Sequence, residues 1–138
     1  MAPVLEIVDH VHVYVADRAR AEIWYRDVLD LRRDKVLEVW ADGGPLMLGS
    51  RSGSVKLALF ERERAPCRST IAFRVDAAGF KDWLARLDRL LDCATKISDH
   101  ALAWSMYFDD PFGNPFEITC YDYNALASGL IGRRSSGS

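Results

Sequence analysis

The carboxylate of Glu117 is the group in this chain that its neighbours place best to do chemistry. Around a tight reversal at Asp110-Pro111-Phe112-Gly113, Trp104, Met106 and Phe108 alternate with Ser105 and Tyr107. Beyond it, Phe116, Ile118 and Cys120 alternate with Glu117, Thr119 and Tyr121. A period of two assigns each set to one sheet face. The larger apolar set is expected to face helices, so Ser105, Tyr107, Glu117 and Thr119 line the opposite face together. A glutamate centred in so apolar a strand needs a partner. The chemistry open to it is that of a carboxylate, accepting a hydrogen bond or a proton. A second set opens the chain, where residues 5–15 read LEIVDHVHVYV. Val11, Val13 and Val15 point one way, and His10, His12 and Tyr14 the other, onto the open face.

These side chains need elements to hold them. Asp17 is a candidate N-cap for a helix to about Leu29, with an apolar stripe at Ala21, Trp24, Tyr25 and Val28. Residues 35–40, 45–49 and 54–60 read as short strands, separated by Gly-, Ser- and Asp-rich turns. Residues 61–67, ERERAPC, read as a solvated connector between two halves. The order then repeats. A strand over 69–75 is followed by the cap candidate Asp76 and a helix carrying Phe80, Trp83, Leu84, Leu87, Leu90 and Leu91. A strand near 94–98 and the hairpin that holds Glu117 complete the second half.

Sliding one half onto the other sets His10 over Thr70, Val11 over Ile71 and Val13 over Phe73. With a one-residue gap, Asp17 falls on Asp76 and Trp24 on Trp83. The expectation is an α+β domain over residues 1–123. Two tandem βαβββ units, about 5–60 and 68–122, form one curved mixed sheet with helices on the convex side and a concave ligand groove. Open sheet edges make a homodimer the expected state. Residues 124–138 read as a C-terminal tail, with 125–131 a docking helix and the rest disordered.

Composition limits the function classes. The 138 residues are 49% hydrophobic and 28% charged, with a formal net charge of −2, which gives no reason to expect nucleic acid or an anionic membrane as partner. No apolar run approaches the roughly 20 residues that cross a bilayer. Cys67, Cys93 and Cys120 are far apart and form no CxxC pair, which points to a reducing, cytoplasmic setting.

The segments DHVHVYVADRARAEIWYRDVLDL, STIAFRVD and YFDDPFGNPFEITCYD closely resemble the glyoxalase, bleomycin-resistance and extradiol-dioxygenase superfamily, the vicinal oxygen chelate proteins. The resemblance covers residues 8–122 and implies a small-molecule protein. It also implies one divalent metal ion (Fe, Mn, Ni or Zn), with ligands on the first and last strands of each unit. Carried over by position, these are His10 and Glu117. Thr70 stands where the family often has a histidine, and about Leu57 at the remaining position. His12, about 7 Å along the strand from His10, and His100, just before the Trp104 strand, are the two available rescues.

Two functions follow. The first is a metal-dependent lyase, isomerase or dioxygenase acting on a small oxygen-rich or aromatic molecule, with Glu117 as ligand or base and Tyr107 donating to substrate. The alternative is a metal-free, antibiotic-type binding and sequestering protein whose groove is lined by His12, Trp40, Thr70, His100, Tyr107 and Thr119. A metal-free acid–base catalyst built on Glu117 beside His10 is a weaker third reading.

Overall fold

Two aspartates start the two long helices. Asp17 is extended (φ −136°, ψ 103°) and its side chain accepts from the Arg20 N–H, opening α1 (Arg18–Leu29). Asp76 does the same for the Gly79 N–H and opens α2 (Ala77–Leu90). Each cap satisfies an amide that the first helical turn leaves without a partner. The computed structural model describes residues 1–63 and 69–130, and the chain divides into compact units Met1–Pro66 and Cys67–Ser138.

In the first unit, β1 (Val11–Val15), α1, β2 (Arg32–Arg33), β3 (Leu46–Gly49) and β4 (Lys56–Glu61) follow in chain order. They build a four-stranded sheet in the order β1-β4-β3-β2, with β1 parallel to β4 and the other pairs antiparallel. The second unit has the same plan. Its strands β5 (Ile71–Arg74), β6 (Lys96–Asp99), β7 (Trp104–Asp109) and β8 (Pro115–Cys120) lie in the order β5-β8-β7-β6. The expected pair of βαβββ units is therefore the observed α+β fold. Helix α3 (Tyr123–Leu130) follows, with Leu126 and Leu130 buried.

Each unit has its own core. Val13, Val15, Leu57 and Leu59 are buried with Ala21, Tyr25 and Val28 of α1. Met106, Phe116 and Ile118 are buried with Phe80, Leu84 and Leu87 of α2. Trp24 and Trp83 are half-buried at the edges of their helical stripes, and Leu90 is exposed.

The structure corrects the expectation at four places. The first strand begins at Val11, and residues 1–10 take no regular secondary structure, with Leu5, Ile7 and Val8 exposed. The strand expected over 35–40 does not form; a 3-10 helix occupies Glu38–Ala41 and the pairing segment is β2. Asp34 turns the chain by accepting from the Val36 and Leu37 N–H groups, and the Arg18 guanidinium donates to Ala41 O and Gly44 O. Val36 and Val39 are exposed, so the alternation there has nothing to pack against. Strand β6 starts two residues later than expected. Leu57 pairs with Val11 on the buried face, so the β4 residue opposite His12 is Ala58. Residues 64–68, part of the expected connector and including Cys67, and 131–138, with the tail expected to be disordered, lie outside the described residues.

The β7–β8 turn is held by a buried carboxylate. Asp110 Oδ1 accepts from the Phe112 and Asn114 N–H groups and Oδ2 from the Asn114 amide, at 2.7–2.9 Å. Gly113 closes the turn at φ 86°, a conformation that costs a side-chain-bearing residue about 1–2 kcal/mol. Asp110→Ala should strand buried amides and cost about 2–3 kcal/mol, against about 1 kcal/mol for Gly113→Ala. Urea denaturation of both variants checks the order, and an Asp110→Ala loss below that of Gly113→Ala would show that the cage does not hold the turn.

Candidate functional site

The sequence-expected residues gather in two clusters, one on each unit. In the second unit the hairpin register sets Tyr107 opposite Glu117 and Ser105 opposite Thr119, all on the face away from Met106, Phe116 and Ile118. Neighbouring strands extend the rows. Ala72 pairs with Glu117 and Lys96 with Tyr107, whereas Arg74 pairs with Thr119 and Ser98 with Ser105. The result is a polar sheet face bearing one central carboxylate with cationic residues at both edges.

Hydrogen bonds fix that face. The Ser105 hydroxyl donates to Glu117 Oε2 at 2.8 Å, and the Thr119 hydroxyl lies 3.1 Å from the same serine oxygen. The expected partner for the in-strand glutamate is thus a serine. Tyr107 OH and His100 Nε2 share a hydrogen bond of 2.9 Å. His100 reaches it from a tight loop in which Ala101 takes φ 68° and its N–H is held by Asp99. Asp99 also accepts from Tyr123 OH, which ties the loop to the start of α3. His100, expected as a loop residue, therefore joins this cluster.

Burial, and then the negative charge of Glu117, raise the Tyr107 hydroxyl above its usual pKa of 10.0. The phenol is accordingly protonated at neutral pH and able to donate. A raised folded-state value stabilises the fold below the unfolded pKa, and this contribution is lost as pH rises through the folded one. Glu117→Gln should lower the Tyr107 midpoint while leaving the burial part. Tyrosinate absorbance titrations, with Tyr107→Phe subtracted, test this; a midpoint unmoved in Glu117→Gln would mean that the carboxylate does not act on the phenol.

The first-unit cluster lies at the start of β1. His10 Nδ1–H donates to Asp9 Oδ2 at 2.8 Å, and His10 Nε2 lies 3.2 Å from His12 Nε2. His12 also packs on the Phe60 ring, with centroids 4.7 Å apart. Phe60 pairs with Tyr14 and Ala58 with His12. His10 and His12 are therefore together, as their two-residue spacing implies. Asp9 was missed; its only signal was an acid directly before a histidine. Trp40 stands half-exposed on the 3-10 helix, and Thr70 is exposed just before β5. A separate cavity of about 250 Å³ in the first unit is lined by Arg33 and Arg51 among others, but these already pair with Glu22, Glu38 and Asp30.

The two units divide the donors. Where the first has His12 opposite Ala58, the second has Ala72 opposite Glu117. Among the described residues no three His, Cys, Asp or Glu side chains form a group able to hold a metal ion. Cys93 is exposed and Cys120 buried, both as free thiols. Burial pushes the Cys120 thiol up, which suits a structural role.

Comparison with known proteins bears on the fold. The profile of the Glyoxalase/Bleomycin resistance protein/Dioxygenase superfamily matches residues 7–118. No curated protein matches the sequence. Among solved structures, lactoylglutathione lyase from Agrobacterium tumefaciens is similar at 23% identity and TM-score 0.65, over 86% of this chain and 95% of that one. A glyoxalase/dioxygenase from Nostoc punctiforme is similar at 20% identity and TM-score 0.62, over 88% and 98%. A fosfomycin resistance protein from Listeria monocytogenes, crystallised with Mn(II) and sulfate, is similar at 11% identity and TM-score 0.62, over 92% and 99%.

Proposed function

Since the chain belongs to the Glyoxalase/Bleomycin resistance protein/Dioxygenase superfamily, we propose that it is an enzyme acting on a small oxygen-rich or aromatic molecule. The carrying observation is the Ser105–Glu117 hydrogen bond beside the Tyr107–His100 pair, on a sheet face opposite the core. In this reading Glu117 accepts a proton or positive charge from the substrate, and Tyr107, kept protonated, donates a hydrogen bond to a substrate oxygen. Ser105 and His100 position these two groups. Arg74 and Lys96, at the ends of the same rows, favour a substrate that carries negative charge.

A divalent ion, when bound, would supply Lewis-acid polarisation of substrate oxygens. Of the residues the resemblance assigns to it, His10 and Glu117 are suitable donors. Thr70 and Leu57 are not, so the usual three-ligand set is incomplete. That shortfall favours the second reading, a metal-free binding protein that uses the same face of the second unit with Thr70 and Thr119. Open edges at β1 and β5 support a homodimer, and two free thiols a reducing, cytoplasmic setting.

The test is a panel of small vicinal-oxygen compounds, assayed by melting-temperature shift and by turnover. Fosfomycin, S-lactoylglutathione and simple catechols belong in it, each with and without Mn(II), Ni(II), Fe(II) and Zn(II). At least one compound should raise the melting temperature by several degrees and be converted. Binding without conversion, unchanged after chelation, would establish the second reading. If nothing in the panel binds, the small-molecule reading is lost.

A further inference from the structure

We propose that the first unit carries a cradle for a phosphate group, formed where Arg32, Gly49 and Lys56 lie side by side across three strands and Arg51 lines the same cavity from the turn after β3. The site is separate from the second-unit face of the proposed function and does not rest on that reading.

The first supporting observation is the row itself. Arg32 of β2 pairs with Gly49 of β3, and Gly49 pairs with Lys56 of β4. Residues directly opposite one another share a sheet face. Their sequence neighbours Leu48 and Leu57 take the buried face, so this row lies on the other. Two strand spacings put Arg32 and Lys56 about 10 Å apart at the backbone, one cation on each side of a residue with no side chain. Arg33 alternates to the helix side, where Glu22 of α1 and Glu38 occupy its Nε, Nη1 and Nη2 groups.

The second is the gap at Gly49. Its φ is not positive, so the backbone there does not require glycine. A Cβ at this position would meet Val55 O at 3.8 Å, an ordinary contact, and nothing nearer. Glycine in a strand marks a close approach by a ligand or another backbone, and here the nearest backbone leaves room for a side chain. The space belongs to a cavity of about 250 Å³ lined by Asp30, Arg32, Gly49, Arg51 and Lys56 among others. Pockets for drug-sized ligands begin at about 300 Å³, so the occupant is small.

The third is a set of uncommitted donors. Arg32 gives its Nε–H and Arg51 one Nη2–H to Asp30, at 3.0 and 3.2 Å. A guanidinium has about five N–H groups, so most of each fork remains available. Among the described residues the Lys56 ammonium makes no hydrogen bond or ion pair. Asp30 is fixed at the C-cap of α1 (φ 54°, ψ 35°), and its carboxylate holds both guanidinium groups at one cavity. Asp34, the other carboxylate of the lining, accepts from the Val36 and Leu37 N–H groups. Cations arriving from β2, β4 and the turn between β3 and β4 suit an anion with oxygens on several sides, a phosphate in preference to a planar carboxylate.

The experiment titrates full-length protein with inorganic phosphate and with glycerol phosphate, followed by calorimetry and phosphorus NMR, with acetate as the planar control. Wild type should bind one phosphate per chain, about tenfold or more tighter than acetate, and more weakly as sodium chloride is raised. Tighter binding of glycerol phosphate than of inorganic phosphate would identify a phosphate monoester as the occupant, and the reverse order free phosphate. Gly49→Val fills the gap without touching a charge and should abolish binding, whereas Lys56→Gln and Arg32→Gln should each weaken it about tenfold. Circular dichroism verifies folding; valine suits a strand, and Lys56→Gln carries the test alone if Gly49→Val does not fold. Lys96→Gln, in the second unit, should leave phosphate binding unchanged. Wild-type affinity in Lys56→Gln and Gly49→Val would overturn the cradle, as would equal binding of acetate or no phosphate binding by wild type. Loss of binding in Lys96→Gln alone would also overturn it, by moving the phosphate to the second-unit face, and would leave the proposed function standing.

Discussion

Glu117→Gln should lower turnover of the best panel compound by a factor of about 10²–10⁴, the range typical of losing a positioned acid–base group, with little change in stability. The amide matches the carboxylate in shape and can still accept from the Ser105 hydroxyl, so the hairpin face should keep its geometry. What it loses is the charge and the ability to take a proton. The electrostatic pressure on Tyr107 disappears with it, so the pH profile above neutrality should change together with the rate. A melting temperature within about 2 °C of wild type would attribute the loss to chemistry. Turnover within threefold of wild type would remove Glu117 from the mechanism.

Trp104→Ala should be the most damaging single change to the second unit, at about 4–5 kcal/mol. Trp104 is fully buried, its ring lies 5.4 Å from that of Tyr123 at an interplanar angle of 10°, and its indole N–H donates to Tyr123 O. Truncating a buried tryptophan typically costs about 3–5 kcal/mol, and the stranded carbonyl adds to that. Tyr123 also begins α3 and donates to Asp99, so the loop that carries His100 should loosen as well. Against a usual total of about 5–15 kcal/mol, the variant should melt about 15 °C lower by circular dichroism. A drop below about 4 °C would mean that the second unit does not depend on this ring.

Both helix caps, the duplicated βαβββ order and the polar hairpin face were legible in the sequence, because each rests on short-range rules. Asp17 and Asp76 cap the helices they precede, and period two alone places Ser105, Tyr107, Glu117 and Thr119 on one face. Failures occurred where tertiary contacts decide. The apolar alternation of 35–40 resembles a strand, yet Asp34 turns it by accepting from the nearby Val36 and Leu37 N–H groups, and Arg18 holds the segment by donating to Ala41 O and Gly44 O, far away in sequence. A one-residue slip placed Leu57, in place of Ala58, opposite the histidines, and in a strand one residue reverses the face. The contacts of Asp9 and His100 depend on side-chain direction, which no spacing rule encodes.

Unequal inheritance between the duplicated halves suggests an engineering route. Ala58 is to His12 what Glu117 is to Ala72, so writing Glu at position 58 would transplant the carboxylate of one repeat next to the paired imidazoles of the other. Residues 10, 12 and 58 would then present two imidazoles, one on β1 and one just before it, and a carboxylate on the neighbouring β4, the set of donor types used by non-haem iron. Position 58 is fully enclosed, so an unliganded anion there would be penalised. Such a chain should depend on added ion for its folding, a metal-gated version of the repeat.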